Sequence, residues 1–337
     1  MLTVAYVGFG VSVREYHIPY VEKRDDIKIK YVFRREEDIE AFKDYEPFYS
    51  DITFTTNFDD VLNDPEIDLV VISAPDKFHV SYASQVLNAN KHCLVEKPFA
   101  PTSAEAKEVF ELAKSKNLIC MPNQNRRFDA DFMAVKEVIA SGKLGEIVRF
   151  ESHYDYYKPN GWNKLPALYN LGVHTTDQVI SLFGKPDRVD LDARSLHNEG
   201  TDDYFDLNLF YGKCKATIST CMSVLIDYPR FTVHCTKGSL TLPPAIHGSS
   251  KAKVVNRHVI EFKDASEDRY GTLVYMNENN EKITEKVPVS YNHYEYIYDS
   301  LIKAINKQEE KCVKDDEVIT VLQILEEATI VANNAKY

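Results

Sequence analysis

Residues 2–10 read LTVAYVGFG, an apolar run that gives way to Gly8-Phe9-Gly10. A strand ending in Gly-x-Gly is how a βαβ unit turns tightly and brings its backbone close to a bound phosphate. The next stretches keep that rhythm. IKIKYVF (27–33), ITFT (52–55), DLVVIS (68–73), HCLVE (92–96) and LICM (118–121) are short and apolar, with helical patterns between them. LVVIS is apolar without a break, as a strand covered on both faces must be. The interval 103–116 is the best-marked helix. Thr102 and Glu105 have capping-box spacing, and Ala106, Val109, Phe110 and Ala113 make one buried stripe. Strands alternating with helices predict a doubly wound parallel sheet of Rossmann type, assigned here to a domain over 1–122.

Beyond residue 145 the period changes. EIVRFESHYDYY (146–157), DDYFDLNLFY (202–211), CKATISTCMSV (214–224) and PRFTVHCTKGSLTL (229–242) alternate polar with apolar residues. That pattern predicts a large, mainly antiparallel open sheet with one face packed and one wet. Helical stretches are expected at 168–183, 291–308 and 315–334, and a polar excursion at 244–270. The chain thus reads as α/β, with the second domain over 123–337 and the boundary near MPNQNRRF (121–128).

At 337 residues the chain exceeds what one core ordinarily holds. Its net charge of −12 argues against nucleic acid or an anionic membrane as partner. No apolar run approaches the roughly 20 residues of a membrane helix. The N-terminus lacks the basic, apolar and cleavage regions of a signal peptide. The six cysteines are scattered without a C-x-x-C pair, which reads as reduced thiols in a cytoplasmic protein.

Chemistry-bearing residues gather at the ends of the first-domain strands. Gly8, Phe9 and Gly10 are placed to receive a pyrophosphate, although Val13 stands where the third glycine of G-x-G-x-x-G would be. After the second strand come Arg34 and Arg35, not a lone acidic residue, which favours the 2′-phosphate of NADP while leaving NAD possible. The plainer reading pairs these arginines with Glu36, Glu37 or Asp38 on a wet surface. Ala74 and Pro75 end the fourth strand, Asp76 is a candidate cap for the next helix, and His79 follows, either structural or a cofactor contact. The fifth strand stops at Glu96-Lys97, with Pro98 fixing the backbone and able to be cis. A lysine there can polarise a carbonyl or alkoxide oxygen, although solvated lysines are the commoner case. In the second domain, LYNLGVHTTDQVISLFGKP (168–186) puts Asn170, His174, Asp177 and Ser181 on one stripe. His174 with Asp177 beside it can serve as an acid/base. No metal-binding, nucleophile-elbow or phosphate-loop motif appears.

VGFG, APDKFH, LVEKPFA, NQNRRFDADF, SGKLGEI and LGVHTTDQ…LFGKP occur in an order and spacing that resemble the Gfo/Idh/MocA oxidoreductases over nearly the whole chain. YHIPYVEKRDDIKIKYVFRR (16–35) resembles an uncharacterised bacterial branch of that family. The resemblance implies a nicotinamide-binding Rossmann domain, then an α/β domain that covers the substrate and joins a homodimer or homotetramer. It implies a catalytic Lys97 and a proton-transferring His174. The family's frequent aspartate falls on Asn170, which cannot carry a charge or take a proton but can hydrogen-bond a substrate. Gln124, Asn125 and Arg126 match a segment near the nicotinamide. Trp162 matches a loop aromatic that approaches the cofactor, with Asn163 in place of an arginine.

The function expected is hydride transfer between NAD(P) and a sugar, polyol or sugar-derived hydroxyl or carbonyl. Lys97, His174 and Asn170 carry the chemistry and contact the substrate, and Glu96 supports Lys97 or meets the cofactor ribose. Two other readings stand: a cofactor-binding sensor without turnover, motivated by Val13 and Asn170, and reduction of a non-sugar ring or imine.

Overall fold

Leu2–Val7 forms β1, every residue of it buried, as the unbroken apolar run requires. The computed structural model describes all residues except 23, 159–165, 198–200, 247–251, 256–257, 263–268, 290–291 and 335–337. Ile27–Phe33 (β2), Thr53–Thr55 (β3), Leu69–Ile72 (β4), His92–Val95 (β5) and Cys120–Pro122 (β6) join β1 in a parallel sheet. Its order is β3-β2-β1-β4-β5-β6. The chain runs outward from β1 in both directions, so the carboxyl ends of β1 and β4 flank the switch point where α/β sheets bind ligands. Leu69–Ile72 is wholly inaccessible because helices cover both faces of such a sheet. The Ser103–Ser115 helix is capped by Thr102, whose Oγ1 accepts from Glu105 N–H at 3.2 Å.

The second sheet has eight strands. They are Ile147–His153 (β7), Arg188–Arg194 (β8), Tyr204–Tyr211 (β9), Cys214–Cys221 (β10), Phe231–Cys235 (β11), Gly238–Thr241 (β12), Tyr270–Met276 (β15) and Lys282–Pro288 (β16). The order β16-β15-β12-β11-β7-β10-β9-β8 is antiparallel except where β10 runs beside β7. Phe205, Leu207 and Leu209 point from β9 into a core with Phe132, Phe150 and Phe231. The intervening residues of β9 stay half-exposed, which is the alternation read in the sequence. The polar interval 244–270 includes a separate two-stranded hairpin, Ala252–Val255 (β13) with His258–Phe262 (β14).

The chain forms two compact units. One is residues 1–125, 248–263 and 293–319, holding the parallel sheet and the Tyr296–Ile305 helix. The other is 126–247, 264–292 and 320–337, holding the eight-stranded sheet. Among the described residues no helix is long and apolar enough to cross a membrane.

Candidate active site

Two clusters of the expected residues arise, one in each unit. In the first, β1 ends in Gly8, whose φ is +99° and whose N–H donates to Phe33 O at 2.8 Å. A Cβ there would lie 2.6 Å from Ser73 O, so only glycine lets the ends of β1 and β4 come this close. At Gly10 a Cβ would meet nothing within 4 Å. That open space beside a backbone turn is what a pyrophosphate needs, and it fits a dinucleotide. Phe9 turns inward, with ring centroids 5.0–5.5 Å from Phe42, Tyr49 and Phe54. Its ring belongs to the core, and its peptide is what faces a ligand. Val13 is fully buried and opens a π-helical turn, Val13–His17. The third-glycine position is thus filled by a packed side chain.

Both arginines after β2 hold carboxylates. Arg34 forks onto Glu46, with Nη2 donating to Oε2 at 3.0 Å, and Arg35 forks onto Asp38 at 2.8 and 3.0 Å and also pairs with Glu37. The plainer sequence reading therefore describes Arg35, while Arg34 found a partner farther along the chain. A 2′-phosphate would compete with these carboxylates for the same donors. Ala74 and Pro75 close β4. Asp76 accepts from its neighbour Lys77 N–H at 2.9 Å, and a 3₁₀ turn at Asp76–Phe78 leads into the His79–Asn88 helix, so no side-chain cap forms there. His79 is buried with its ring between Pro98 O (2.7 Å) and Ala74 O (2.8 Å). Its nitrogens brace the two strand ends, so what it offers a ligand is the placement of the Ala74–Pro75 backbone.

At the end of β5 the Glu96 carboxylate is gripped. Its Oε1 accepts from His17 Nε2 at 2.8 Å, Asn123 Nδ2 at 2.9 Å and Ser12 Oγ, and its Oε2 accepts from Lys97 N–H at 3.1 Å. Burial alone would push this carboxyl up. The hydrogen bonds from His17, Ser12 and Asn123, with the charge of His17, outweigh it and bring it down to about 2. Lys97 is half-buried, and the Lys97–Pro98 peptide is cis. Gln124 is buried just beyond β6. Neither His17 nor Asn123 was singled out in the sequence. The one signal available was that a glutamate at the end of a buried strand must find donors.

In the second unit the helix bearing His174 begins as a π-helical turn, Leu168–Gly172, and continues as an α-helix over Val173–Phe183, ended by Gly184 at φ +73°. Asn170 is half-buried on the first turn and His174 is 6% exposed on the second segment. Asp202 accepts from Leu168 N–H at 2.7 Å and holds the helix start. Its burial pushes the carboxyl up to about 6 against the backbone donors that pull it down. Both Asp177 oxygens accept from the Arg127 guanidinium at 2.7 Å, in a pair buried to 1% and 6% exposure. Gln178 donates to Arg126 O and accepts from the buried Arg230, each at 2.7 Å. Arg126 and Arg127 are thus clamped to the helix that carries His174. Trp162 and Asn163 lie outside the described residues. Among those described, no group of His, Cys, Asp and Glu could hold a metal ion.

Two family models divide the chain between them. Residues 2–124 match the NAD-binding Rossmann fold of an oxidoreductase family, and residues 136–337 match that family's C-terminal alpha/beta domain. The chain belongs to the Gfo/Idh/MocA oxidoreductase family. It is 45% identical to the uncharacterized oxidoreductase YhhX of Escherichia coli, over 97% of this chain and 95% of that one. It is 28% identical to the scyllo-inositol 2-dehydrogenase (NADP(+)) IolW of Bacillus subtilis, over 97% and 92%. The crystal structure of a probable oxidoreductase yhhX superposes with a TM-score of 0.89 at 42% identity, covering 99% of this chain and 98% of that chain. Membership in this family makes the first unit a nicotinamide-cofactor domain and the chain an oxidoreductase.

Proposed function

We propose that this chain is an NADP-dependent dehydrogenase or reductase of a sugar, polyol or sugar-derived hydroxyl, with the cofactor held by residues 1–122 and the substrate by 123–337. A bound nicotinamide supplies or accepts the hydride. In the oxidation direction, the His174 imidazole takes the hydroxyl proton. The Lys97 ammonium stabilises negative charge on the same oxygen as its bond to carbon gains order, and Asn170 orients the hydroxyl by hydrogen bonding. Gly8 and Gly10 with the Phe9 peptide receive the pyrophosphate, and Ala74, Pro75, His79 and Gln124 shape the rest of the cofactor's bed. Arg34 and Arg35 exchange their carboxylates for the 2′-phosphate. Trp162 is assigned to the nicotinamide side by family resemblance alone.

The observation that carries this reading is the open Gly10 backbone beside the fixed Glu96–Lys97 strand end, in one sheet with the order of a dinucleotide fold. The NADP choice is supported by the IolW name and by two arginines after β2. The test begins with titrations of NADP and NAD against intrinsic fluorescence, followed by a screen of polyols and aldoses for change in nicotinamide absorbance. Tighter binding of NADP, with turnover on some polyol lost in Lys97→Ala, is the expected result. Turnover at the wild-type rate in Lys97→Ala would overturn the role of Lys97. Binding without turnover across the whole panel would select the sensor reading, to which Asn170 belongs.

A further inference from the structure

We propose that His17 is a positioning residue for Glu96 and Lys97, and that the buried hydroxyls of Tyr298 and Tyr6 keep its bond to Glu96 in place whatever the charge of the imidazole. This deepens the reading above and rests on its assignment of Lys97.

The geometry is a line of contacts within the first unit. His17 Nε2 lies 2.8 Å from Glu96 Oε1, His17 Nδ1 lies 2.7 Å from Tyr298 Oη, and Tyr298 Oη lies 3.0 Å from Tyr6 Oη. His17 and Tyr298 are 1% exposed and Tyr6 not at all. An ionised carboxylate only accepts, so Nε2 carries a hydrogen and donates to it. With a neutral ring, Nδ1 accepts from Tyr298 O–H, which accepts from Tyr6. With a charged ring, Nδ1–H donates to Tyr298 O, whose hydrogen turns to Tyr6. A hydroxyl pair serves both states because each oxygen can give or take. The donor on Glu96 is the same in both.

The consequence falls on Lys97. Three donors gather on Oε1, which leaves Oε2 to accept the Lys97 amide. If Glu96 were protonated it would lose acceptor strength toward that amide and the negative charge next to the lysine. Keeping a buried carboxylate ionised is costly, and a leucine would fill the space with less demand. The grip draws on side chains from four separate segments: Ser12 and His17, Glu96 itself, Asn123, and Tyr298. The groups facing it are His17 and Ser12 from the turn after β1, Lys97 along the chain, Asn123 after β6, and Tyr298 with Tyr6 behind it. Arg24, paired with Asp26 and Asp299, stands near Tyr298. Without His17, the largest of the side-chain contacts that oppose burial is gone, and the Glu96 carboxyl moves upward.

The experiment compares wild type, His17→Leu, His17→Leu/Glu96→Gln and Tyr298→Phe. NADP affinity is read by fluorescence from pH 5 to 8, and the thermal midpoint of the ligand-free protein over the same range. Expressed against wild type, NADP binding by His17→Leu weakens as pH falls from 7 to 5, by up to about tenfold per pH unit. The double variant shows no such limb, because the titrating carboxyl is gone. Tyr298→Phe, which leaves His17 in place, shows a shallower version. A constant ratio across pH for His17→Leu, or a limb that survives in the double variant, overturns the proposal. If wild type binds neither NADP nor NAD, the functional reading falls separately, and the ligand-free midpoints decide. A raised Glu96 carboxyl gives stability below its unfolded value that is lost as pH rises, so His17→Leu must fall relative to the double variant from pH 5 to 7. Parallel curves overturn the proposal. Should His17→Leu fail to fold, Tyr298→Phe carries the same comparison against Tyr298→Phe/Glu96→Gln.

Discussion

At the scale of single residues, the two glycines after β1 do different work, and substitution separates them. Gly8 sits at φ +99° with Ser73 O in the path of any Cβ, whereas Gly10 faces open space. Gly8→Ala is expected to destabilise the protein by about 1–3 kcal/mol, read as a lower urea midpoint. Gly10→Ala is expected to leave that midpoint near wild type and weaken NADP binding, because its methyl group occupies the pyrophosphate's space. Equal losses of stability in both variants would remove the distinction. The sequence carried the turn itself but not this difference in role, since G-x-G says nothing of what lies opposite each Cα. Lys97 and Glu96 were legible as strand-end charges. Their partners were not, because His17 lies 79 positions from Glu96 and no local pattern encodes a donor at that separation.

At the scale of elements, the helix carrying Asn170 and His174 depends on two buried carboxylates. Asp202 at its start is 5% exposed and sits near pH 6, above the ordinary value of 3.8. A folded-state value raised in this way gives stability that is present below the unfolded value and lost as pH rises through the folded one. Between pH 4 and pH 7, wild type is therefore expected to lose about 2–3 kcal/mol relative to Asp202→Asn. Urea midpoints of the two proteins at the two pH values check this, and a constant difference between them would refute it. Asp177 is the partner of a buried guanidinium. Asp177→Asn strands Arg127 and should cost about 3–5 kcal/mol, again by urea melt. The helix and its closing glycine were readable from spacing. Its π-helical opening was not, since a one-residue widening leaves the apolar stripe almost unchanged. The stripe set Asp177 beside His174, but it gave no sign that Arg127 donates to both carboxylate oxygens. Residue spacing ranks neighbours on one helix and cannot rank a guanidinium arriving from another segment.

At the scale of the whole molecule, the parallel sheet was legible because each strand is a short apolar run between helical patterns, and all six strands fall before residue 123. What pattern reading could not supply is the return of the chain to its first compact unit at 293–319. Those residues look like any amphipathic helix, and their destination is decided by contacts far away in sequence. Tyr298 closes the hydrogen-bonded line through His17, which is 281 positions earlier, and its ring stands 6.0 Å from the imidazole. Leu301 and Ile297 of the same helix are buried to 1% or less. A fragment of residues 1–125 contains every strand of the parallel sheet and lacks this helix. It would expose apolar surface and remove the Tyr298 hydroxyl from His17 Nδ1, a hydrogen bond worth about 0.5–1.5 kcal/mol net. Small domains have only about 5–15 kcal/mol of stability to lose. The fragment is therefore expected to be degraded by a trace of protease within the time that full-length protein survives, and to bind NADP at least tenfold more weakly. Adding residues 293–319 back on a flexible linker should recover part of both. A 1–125 fragment as protease-resistant and as tight in NADP binding as the full chain would show that the returning helix is dispensable to the cofactor unit.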